Sequence, residues 1–252
     1  MKIGIIGFGN LGKALTNGLL QTELVQKQDI FVCAKTATSI EDAKSNFGVQ
    51  ASFDINEVIN DSDIIFLVIK KNVFKEVAST FDLATCANKQ FISFMASTSK
   101  QEINSLLPEI NITRAMPSIA IADRKGIIAY TKTTSQMQVK LFGSLGYAIE
   151  VDESDLEKYT ALAACGLGFA AYILEAFTNA GVNMGLSYQD SLKAIAQTFT
   201  DAIAISNFTE TVKMVATKGG ATEQGINIFN ENNIESIISK AINAAYQKAS
   251  GK

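Results

Sequence analysis

The stretch that decides the fold is KIGIIGFGNLG, residues 2–12. Its first part, Lys2–Gly7, predicts a short buried strand, and a helical pattern follows from about Leu11 to Leu20. Glycines spaced as G-x-G-x-x-G allow a tight turn, a close approach to a pyrophosphate and close strand–helix packing. Because the spacing follows a strand and opens a helix, it predicts a dinucleotide-binding turn. Its predicted cofactor-binding residues are Gly7, Phe8, Gly9, Asn10, Leu11 and Gly12.

The choice of cofactor is expected at the end of the second predicted strand. Sites for NAD place an acidic residue there, about twenty residues after the turn, to bind the ribose 2′-hydroxyl. This chain has Cys33-Ala34-Lys35-Thr36, with Thr38 and Ser39 close behind. A cation and hydroxyls therefore stand where a 2′-phosphate would lie, so Lys35 and Thr36 are predicted to bind NADPH. The alternative is that Lys35 is a solvated surface lysine, and then NADH is possible.

Short strands and helices alternate through the first 150 residues, which predicts a parallel sheet covered on both faces. The predicted strands are residues 2–7, 30–34, 50–52, 64–69, 90–95 and 112–115. After Val151 only helical periodicity remains, over 156–181, 187–205 and 233–249. We therefore expect a Rossmann-type α/β domain with a doubly wound parallel sheet over 1–151. An all-helical domain for substrate binding and dimerisation is expected over 152–252.

Composition excludes several classes of function. Hydrophobic residues make up 47% of the 252 residues, and the formal net charge is −3. This balance predicts no nucleic-acid or anionic-membrane partner. Three isolated cysteines and no histidine predict no metal site and no disulfide, which fits a reducing cytoplasm. Without histidine, any chemistry depends on a cofactor, a hydroxyl, a carboxylate, a lysine or a cysteine.

The two most apolar stretches predict neither secretion nor a membrane span. The N-terminal apolar run is broken at once by glycine, unlike a signal peptide. The stretch Tyr159–Leu174 is short for a span and is closed by Glu175. We expect it to form a helix packed on all sides inside a soluble, cytoplasmic protein.

Five segments together resemble the pyrroline-5-carboxylate reductase family. The opening and the strand DIIFLVIKKN (63–72) are similar to that family's nucleotide-binding half. The segment ITRAMPSIAIADRKG (112–126) is similar to its R-x-M-P-N segment. In the helical half, YTALAACGLGFAAYILEAFTNAGVNMGL (159–186) and VATKGGATEQGI (215–226) resemble its T-A-L-S-G-S-G-P-A-Y and S-P-G-G-T-T segments. The resemblance implies NADPH-dependent reduction of 1-pyrroline-5-carboxylate to L-proline.

The resemblance also implies roles for particular residues. Val68 and Lys70 would border the cofactor on its nicotinamide side, and Thr160 would be the catalytic hydroxyl near the ring nitrogen. Thr160 has an equal alternative as the N-cap of a long apolar helix. The substrate carboxylate would bind the backbone turn and hydroxyl of Gly219, Gly220, Ala221 and Thr222, where the alternative is an ordinary turn.

Cys165 falls at the substrate pocket of the family but has no histidine to activate it, so we expect it to bind or pack rather than to react. The apolar helices of the second half predict a homodimer or a higher homo-oligomer. Two departures, Ser118 after Pro117 and the run Ala163–Leu167, leave other functions open. One is a related reductase acting on another small imine or carbonyl. Another is a catalytically inactive, nucleotide-binding regulatory protein.

Overall fold

The computed structural model describes residues 1–108 and 110–251, and eight strands of these residues form one sheet. The strands are β1 Ile3–Ile6, β2 Ile30–Cys33, β3 Gln50–Ser52, β4 Ile64–Leu67, β5 Gln90–Ser93, β6 Asn111–Pro117, β7 Ile127–Thr131 and β8 Tyr147–Val151. Their order across the sheet is β3-β2-β1-β4-β5-β6-β7-β8. All neighbours are parallel except β6 and β7. The order reverses between β1 and β4, where α/β sheets bind ligands at the carboxyl ends of their strands.

The helices of the α/β region connect these strands. They are α1 Asn10–Leu20, α2 Ala37–Ser45, α3 Ile55–Asn60, α4 Lys71–Val77, α5 Leu83–Cys86, α6 Lys100–Leu106 and α7 Gln136–Leu145. Buried strand residues alternate between the two faces, because successive side chains of a strand point in opposite directions. On β4, for example, Phe66 joins the hydrophobic core on one face and Leu67 the core on the other.

The sequence-based fold class is confirmed, with one addition. The region after β6 also contains β7, α7 and β8, which the sequence pattern did not predict. The connection from β6 to β7 spans only residues 118–126, too short for the helical crossover that a parallel pair needs. This connection therefore reverses the chain, and one antiparallel pair enters a sheet predicted to be wholly parallel.

Helical structure follows β8 to the end of the described chain. It comprises a 3₁₀ turn Glu153–Asp155, α8 Leu156–Tyr159, a π-helical segment Thr160–Ala164, α9 Cys165–Asn183, α10 Tyr188–Ile205, α11 Phe208–Val215, α12 Ala221–Glu231 and α13 Ile234–Ala249. By compactness the chain divides into a first unit, residues 1–165 with 245–252, and a second unit, residues 166–244. The domain boundary at residue 151 stays a prediction; it coincides with the last residue of β8.

The second unit packs closely where α9 meets α10. Ser191 Oγ donates a hydrogen bond to the backbone oxygen of Thr178 at 2.7 Å. A Cβ at Gly181 would lie 2.1 Å from Ser191 Oγ, so only glycine allows this approach. Phe177 and Phe199 add an edge-to-face contact with ring centroids 5.4 Å apart.

The long helix of residues 153–183 is less buried than the sequence predicts. By length and composition it could cross a membrane, and 11% of its most apolar window is buried. The expectation of a helix packed on all sides is therefore wrong for the single chain. Many large apolar side chains of the second unit are exposed as well, among them Leu167, Tyr172, Met184, Ile203, Phe208, Met214 and Ile228.

Candidate active site

The glycine turn between β1 and α1 has three positions with different surroundings. Gly7 has φ +107°, and its N–H donates to Cys33 O at 2.9 Å. A Cβ at Gly7 would lie 2.4 Å from Val68 O, and one at Gly12 would lie 2.3 Å from Gly7 O. At Gly9 a Cβ would meet no described atom within 4 Å. The first and third glycines are thus required by the fold itself, whereas Gly9 borders open space.

The N-terminus of α1 points into that open space. Gly9 is its N-cap residue, and no side chain caps the helix there. Uncapped backbone N–H groups and the helix dipole together favour an anion at such an end. Phe8 contributes its ring to the core instead, edge to face with Phe47 at 5.2 Å between centroids. The turn therefore fits a pyrophosphate through its backbone.

Two cavities lie on either side of the turn, and both are lined by Gly9, Val68, Ile69 and Lys70. The first has a volume of about 640 Å³ and extends to the end of β2. It brings together Lys35, Thr36 and Ser39, as expected for a 2′-phosphate site. Thr36 Oγ1 caps α2 by accepting from Ser39 N at 3.2 Å. Lys35 extends into solvent beside it.

The first cavity also contains apolar residues that the sequence did not predict as cofactor-binding: Phe53, Ile55, Val73 and Val77. Phe53 is 62% exposed, which is unusual for a large aromatic side chain. In the sequence, Phe53 is a single aromatic residue just after a predicted strand. That signal is too weak to assign a cofactor-binding role. Glu76 lines the cavity as well.

Cys33 borders the first cavity as a neutral thiol. Burial raises its pKa to about 11, and Asp54 contributes in the same direction. The thiol donates to Phe53 O with a sulfur–oxygen distance of 3.7 Å. Cys33 is therefore a small apolar wall residue at neutral pH, not a nucleophile.

The second cavity has a volume of about 840 Å³ and lies on the other side of the turn. It includes Asn10, Leu11 and Lys70 among the predicted residues. Its other lining residues come from α4, from the loop after β5 and from the end of the chain: Lys71, Asn72, Lys75, Phe94, Ala96, Ser97, Lys248 and Gly251. A dinucleotide with its pyrophosphate over Gly9 would place one nucleotide in each cavity.

Thr160 lies in the first unit, at the start of the π-helical segment. Its Oγ1 donates to Leu156 O at 3.0 Å, one helical turn earlier. The alternative role as a helix N-cap is wrong, because helical structure already begins at residue 153. Thr160 is buried and is not among the described residues that line the two cavities. Cys165 follows the π-helical segment and is half-buried. Such segments are frequent at functional sites.

The predicted carboxylate turn, Gly219–Thr222, lies in the second unit. Gly220 is the N-cap residue of α12, and no side chain caps that helix. Gly219 N donates to Glu223 Oε2 at 2.7 Å, so one donor of the turn is already bound to a carboxylate of the same chain. Ala221 and Thr222 are exposed. The role of this turn in substrate binding stays a prediction.

A buried ion-pair network holds the start of the long helix against the sheet. Arg114, on β6, is 2% exposed and contacts Glu157 at 2.6 Å and Glu153 at 3.2 Å. Glu153 Oε1 also accepts from Lys100 N at 2.7 Å. Burial lowers the pKa of Lys100, and Glu153 opposes that effect. Because Glu157 precedes Thr160 by three residues, this network fixes where Thr160 lies.

Among residues 1–108 and 110–251, no group of three metal-ligating side chains comes together.

Two parts of the chain match known protein families. Residues 153–252 match the family described as pyrroline-5-carboxylate reductase dimerisation, and residues 2–97 match the family described as NADP oxidoreductase, coenzyme F420-dependent. The pyrroline-5-carboxylate reductase of Staphylococcus haemolyticus is 29% identical over 99% of this chain and 97% of its own. That of Methanosarcina acetivorans is 27% identical over 98% of this chain and 96% of its own.

The chain is similar to pyrroline-5-carboxylate reductases over nearly its whole length, and its second half matches their dimerisation family. The resemblance inferred from its motifs is confirmed. Solved structures agree on the fold of the family. The pyrroline carboxylate reductase of Plasmodium falciparum, determined with NADP bound, has a TM-score of 0.91 at 22% identity and covers 100% of this chain and 97% of its own. The Streptococcus pyogenes enzyme has a TM-score of 0.89 at 23% identity and covers 100% of this chain and 99% of its own.

Proposed function

We propose that this protein reduces 1-pyrroline-5-carboxylate to L-proline with NADPH. Relatives with that named activity match the chain over nearly its whole length. The observation that carries the proposal is the open space at Gly9, between a cavity containing Lys35 and a second cavity rich in lysine. This arrangement fits a phosphorylated dinucleotide and an anionic substrate.

In this reaction the carbon of the C=N bond gains a hydride and the nitrogen gains a proton. NADPH supplies the hydride when it is bound. The turn and the N-terminus of α1 would bind the pyrophosphate, while Lys35, Thr36 and Ser39 would bind the 2′-phosphate. A protonated iminium already carries the proton that the nitrogen needs. The reaction therefore requires no histidine, and the chain contains none.

Thr160 would orient the iminium as a hydrogen-bond acceptor. Its single hydroxyl proton is directed to Leu156 O, so only the oxygen lone pairs remain available. A protonated ring nitrogen has an N–H to donate and fits such an acceptor. The role proposed for Thr160 is thus to hold the nitrogen, not to supply its proton.

Thr160→Val is expected to lower kcat for pyrroline-5-carboxylate about tenfold, the worth of one hydrogen bond to a charged group. Steady-state kinetics at saturating NADPH measures this change in kcat. Thr178→Val is the matched control, since Thr178 makes the same bond to Leu174 O at 2.9 Å on the same long helix. A kcat unchanged by Thr160→Val would remove Thr160 from the mechanism.

The protein is also proposed to act as a homodimer or a higher homo-oligomer in the cytoplasm. The match of residues 153–252 to a dimerisation family and the exposed apolar side chains of the second unit support the assembly. A second copy of the chain would cover this apolar surface. We propose no nucleic-acid or membrane partner.

The test of the function is NADPH oxidation, followed at 340 nm, with pyrroline-5-carboxylate as substrate and with proline identified as the product. Turnover with this substrate supports the proposal. NADPH binding with turnover only on other cyclic imines or carbonyls would instead favour a related reductase. Ser118 and Ala163–Leu167, where the chain departs from the family's motifs, motivate that alternative. Binding without any turnover would favour a regulatory protein.

Lys35→Gln is expected to lower kcat/KM for NADPH by about 10- to 100-fold, since a hydrogen bond to a charged group contributes about 1.5–3 kcal/mol. The value for NADH should stay unchanged, because NADH lacks the 2′-phosphate. Lys44→Gln, an exposed lysine later in α2, is the control. The prediction is contradicted if wild-type protein prefers NADH, or if Lys35→Gln lowers kcat/KM equally for NADPH and NADH. In either case Lys35 does not recognise the 2′-phosphate.

A further inference from the structure

The last described residues of the chain form part of the wall of the second cavity. Helix α13 ends at Ala249, and Lys248 and Gly251 line the cavity together with Ser97. Residues 245–252 belong to the first unit, so this wall is built within one compact body. The segment lines the second cavity but not the first.

Ser97 holds this segment in place. Its Oγ lies 2.6 Å from Ala249 O, to which it donates, and 3.4 Å from Lys248 O. Ser97 has φ 56°, a conformation that few residues other than glycine adopt. Lys71 Nζ donates to Ser97 O at 2.7 Å and so fixes the strained residue from the other side. A strained residue that makes such contacts at a cavity wall suggests a functional constraint.

The lysines that line the second cavity outnumber the described carboxylates that pair with them. Four lysines line it: Lys70, Lys71, Lys75 and Lys248. Glu102 pairs with Lys71 at 2.7 Å and with Lys75 at 3.3 Å. Lys70 borders both cavities, near the site expected for the pyrophosphate. Lys248 borders the second cavity alone, is exposed, and forms no ion pair with a carboxylate of any residue that the structure describes.

We propose that Lys248 binds the carboxylate of the imino-acid substrate and that Ser97 is the positioning residue that holds it there. The inference rests on the proposed function. If the 2′-phosphate lies beside Lys35, the nicotinamide lies in the second cavity, and the substrate must lie against that ring. The nicotinamide ring carries no negative charge, whereas the substrate does. Lys248 therefore has an anion to bind at this end only when the substrate is present.

The Gly219–Thr222 turn is the other candidate for binding a carboxylate, and it lies in the second unit. Because the Gly219 N–H is already bound to Glu223, that turn lacks one of its donors.

The test compares two substrates that differ only in the carboxylate: pyrroline-5-carboxylate and 1-pyrroline. Lys248→Gln is expected to lower kcat/KM for the first about 10- to 100-fold and to leave that for the second unchanged. Lys240→Gln, an exposed lysine two turns earlier in α13, is the matched control and should change neither. Calorimetry of NADP⁺-loaded protein with L-proline and with pyrrolidine measures the affinity for each ligand and needs no turnover.

Ser97→Gly tests the positioning role. Glycine adopts the same backbone conformation without strain, so the variant removes the hydroxyl and retains the turn. We expect a loss that is selective for pyrroline-5-carboxylate, as in Lys248→Gln, but smaller, about three- to tenfold. An equal loss for both substrates in either variant would overturn the proposal, since a merely structural change cannot distinguish them.

Failure of the inference is separable from failure of the proposed function. Wild-type protein that reduces pyrroline-5-carboxylate, with an unchanged substrate ratio in Lys248→Gln, overturns only the role of Lys248. Wild-type protein that turns over 1-pyrroline but not pyrroline-5-carboxylate overturns the function and, with it, the carboxylate site.

Discussion

A single methyl group at Gly9 is expected to weaken NADPH binding on the order of 100-fold and to leave the melting temperature unchanged. Gly9 has φ −82° and ψ −165°, which alanine adopts readily, and its Cβ would meet no described protein atom within 4 Å. The fold therefore accepts Gly9→Ala. The methyl group would instead occupy the space in which the pyrophosphate approaches the backbone.

Gly12→Ala is the variant with which Gly9→Ala is compared in stability and in NADPH affinity. Its Cβ would lie 2.3 Å from Gly7 O, so strand and helix must move apart, and we expect a clearly lowered melting temperature. Calorimetry gives the stability of both variants, and a titration of NADPH fluorescence gives their affinities. If Gly9→Ala binds NADPH as wild type does, the pyrophosphate does not lie over this turn.

The sequence alone identifies the candidate nucleotide half of the site because its determinants are local. The glycine spacing, the preceding strand and the lysine after β2 all lie within the first forty residues. Parallel strands then bring Gly7 and Val68 to one edge of the sheet, since β1 and β4 are neighbours. The residues that the sequence assigned to the cofactor thus all line the described cavities, apart from Gly12, which packs against the turn.

The other end of the cavity could not be predicted in this way. Ser97 and Ala249 are 152 residues apart in the chain, and no periodicity or motif connects them. The sequence could not predict the π-helical segment at Thr160 either, because its residues also occur in ordinary α-helices. The N-cap prediction for Thr160 was wrong for a related reason. The helix begins earlier because Glu153 pairs with Arg114 and Leu156 packs with Met116 and Ala129, and these are tertiary contacts.

That tertiary contact leads to the prediction with the largest effect on stability. Arg114 is nearly inaccessible to solvent, and its Nε has no hydrogen-bond partner among the described residues. The charge is balanced by Glu157, 14% exposed, and by Glu153, 36% exposed. Removing both carboxylates leaves a buried cation without a counter-charge, which is the costly way to break such a network.

Glu153→Gln/Glu157→Gln is therefore expected to lower the free energy of unfolding by about 3–5 kcal/mol. Asp155→Asn, on the same segment, breaks the exposed pair with Lys158 and should cost less than about 1 kcal/mol. Denaturant unfolding at one fixed protein concentration measures both, since assembly would make stability depend on concentration.

Adding Arg114→Met to the double variant separates charge from packing. The triple variant buries an apolar side chain of similar length in place of the cation, and we expect it to recover more than half of the lost stability. Recovery would assign the loss to the uncompensated charge. A triple variant as unstable as the double would mean that the other hydrogen bonds of Arg114, including the one to Met95 O at 3.4 Å, also stabilise the fold. In either case kcat should fall with stability, because the start of the helix that carries Thr160 is attached to the sheet through this network.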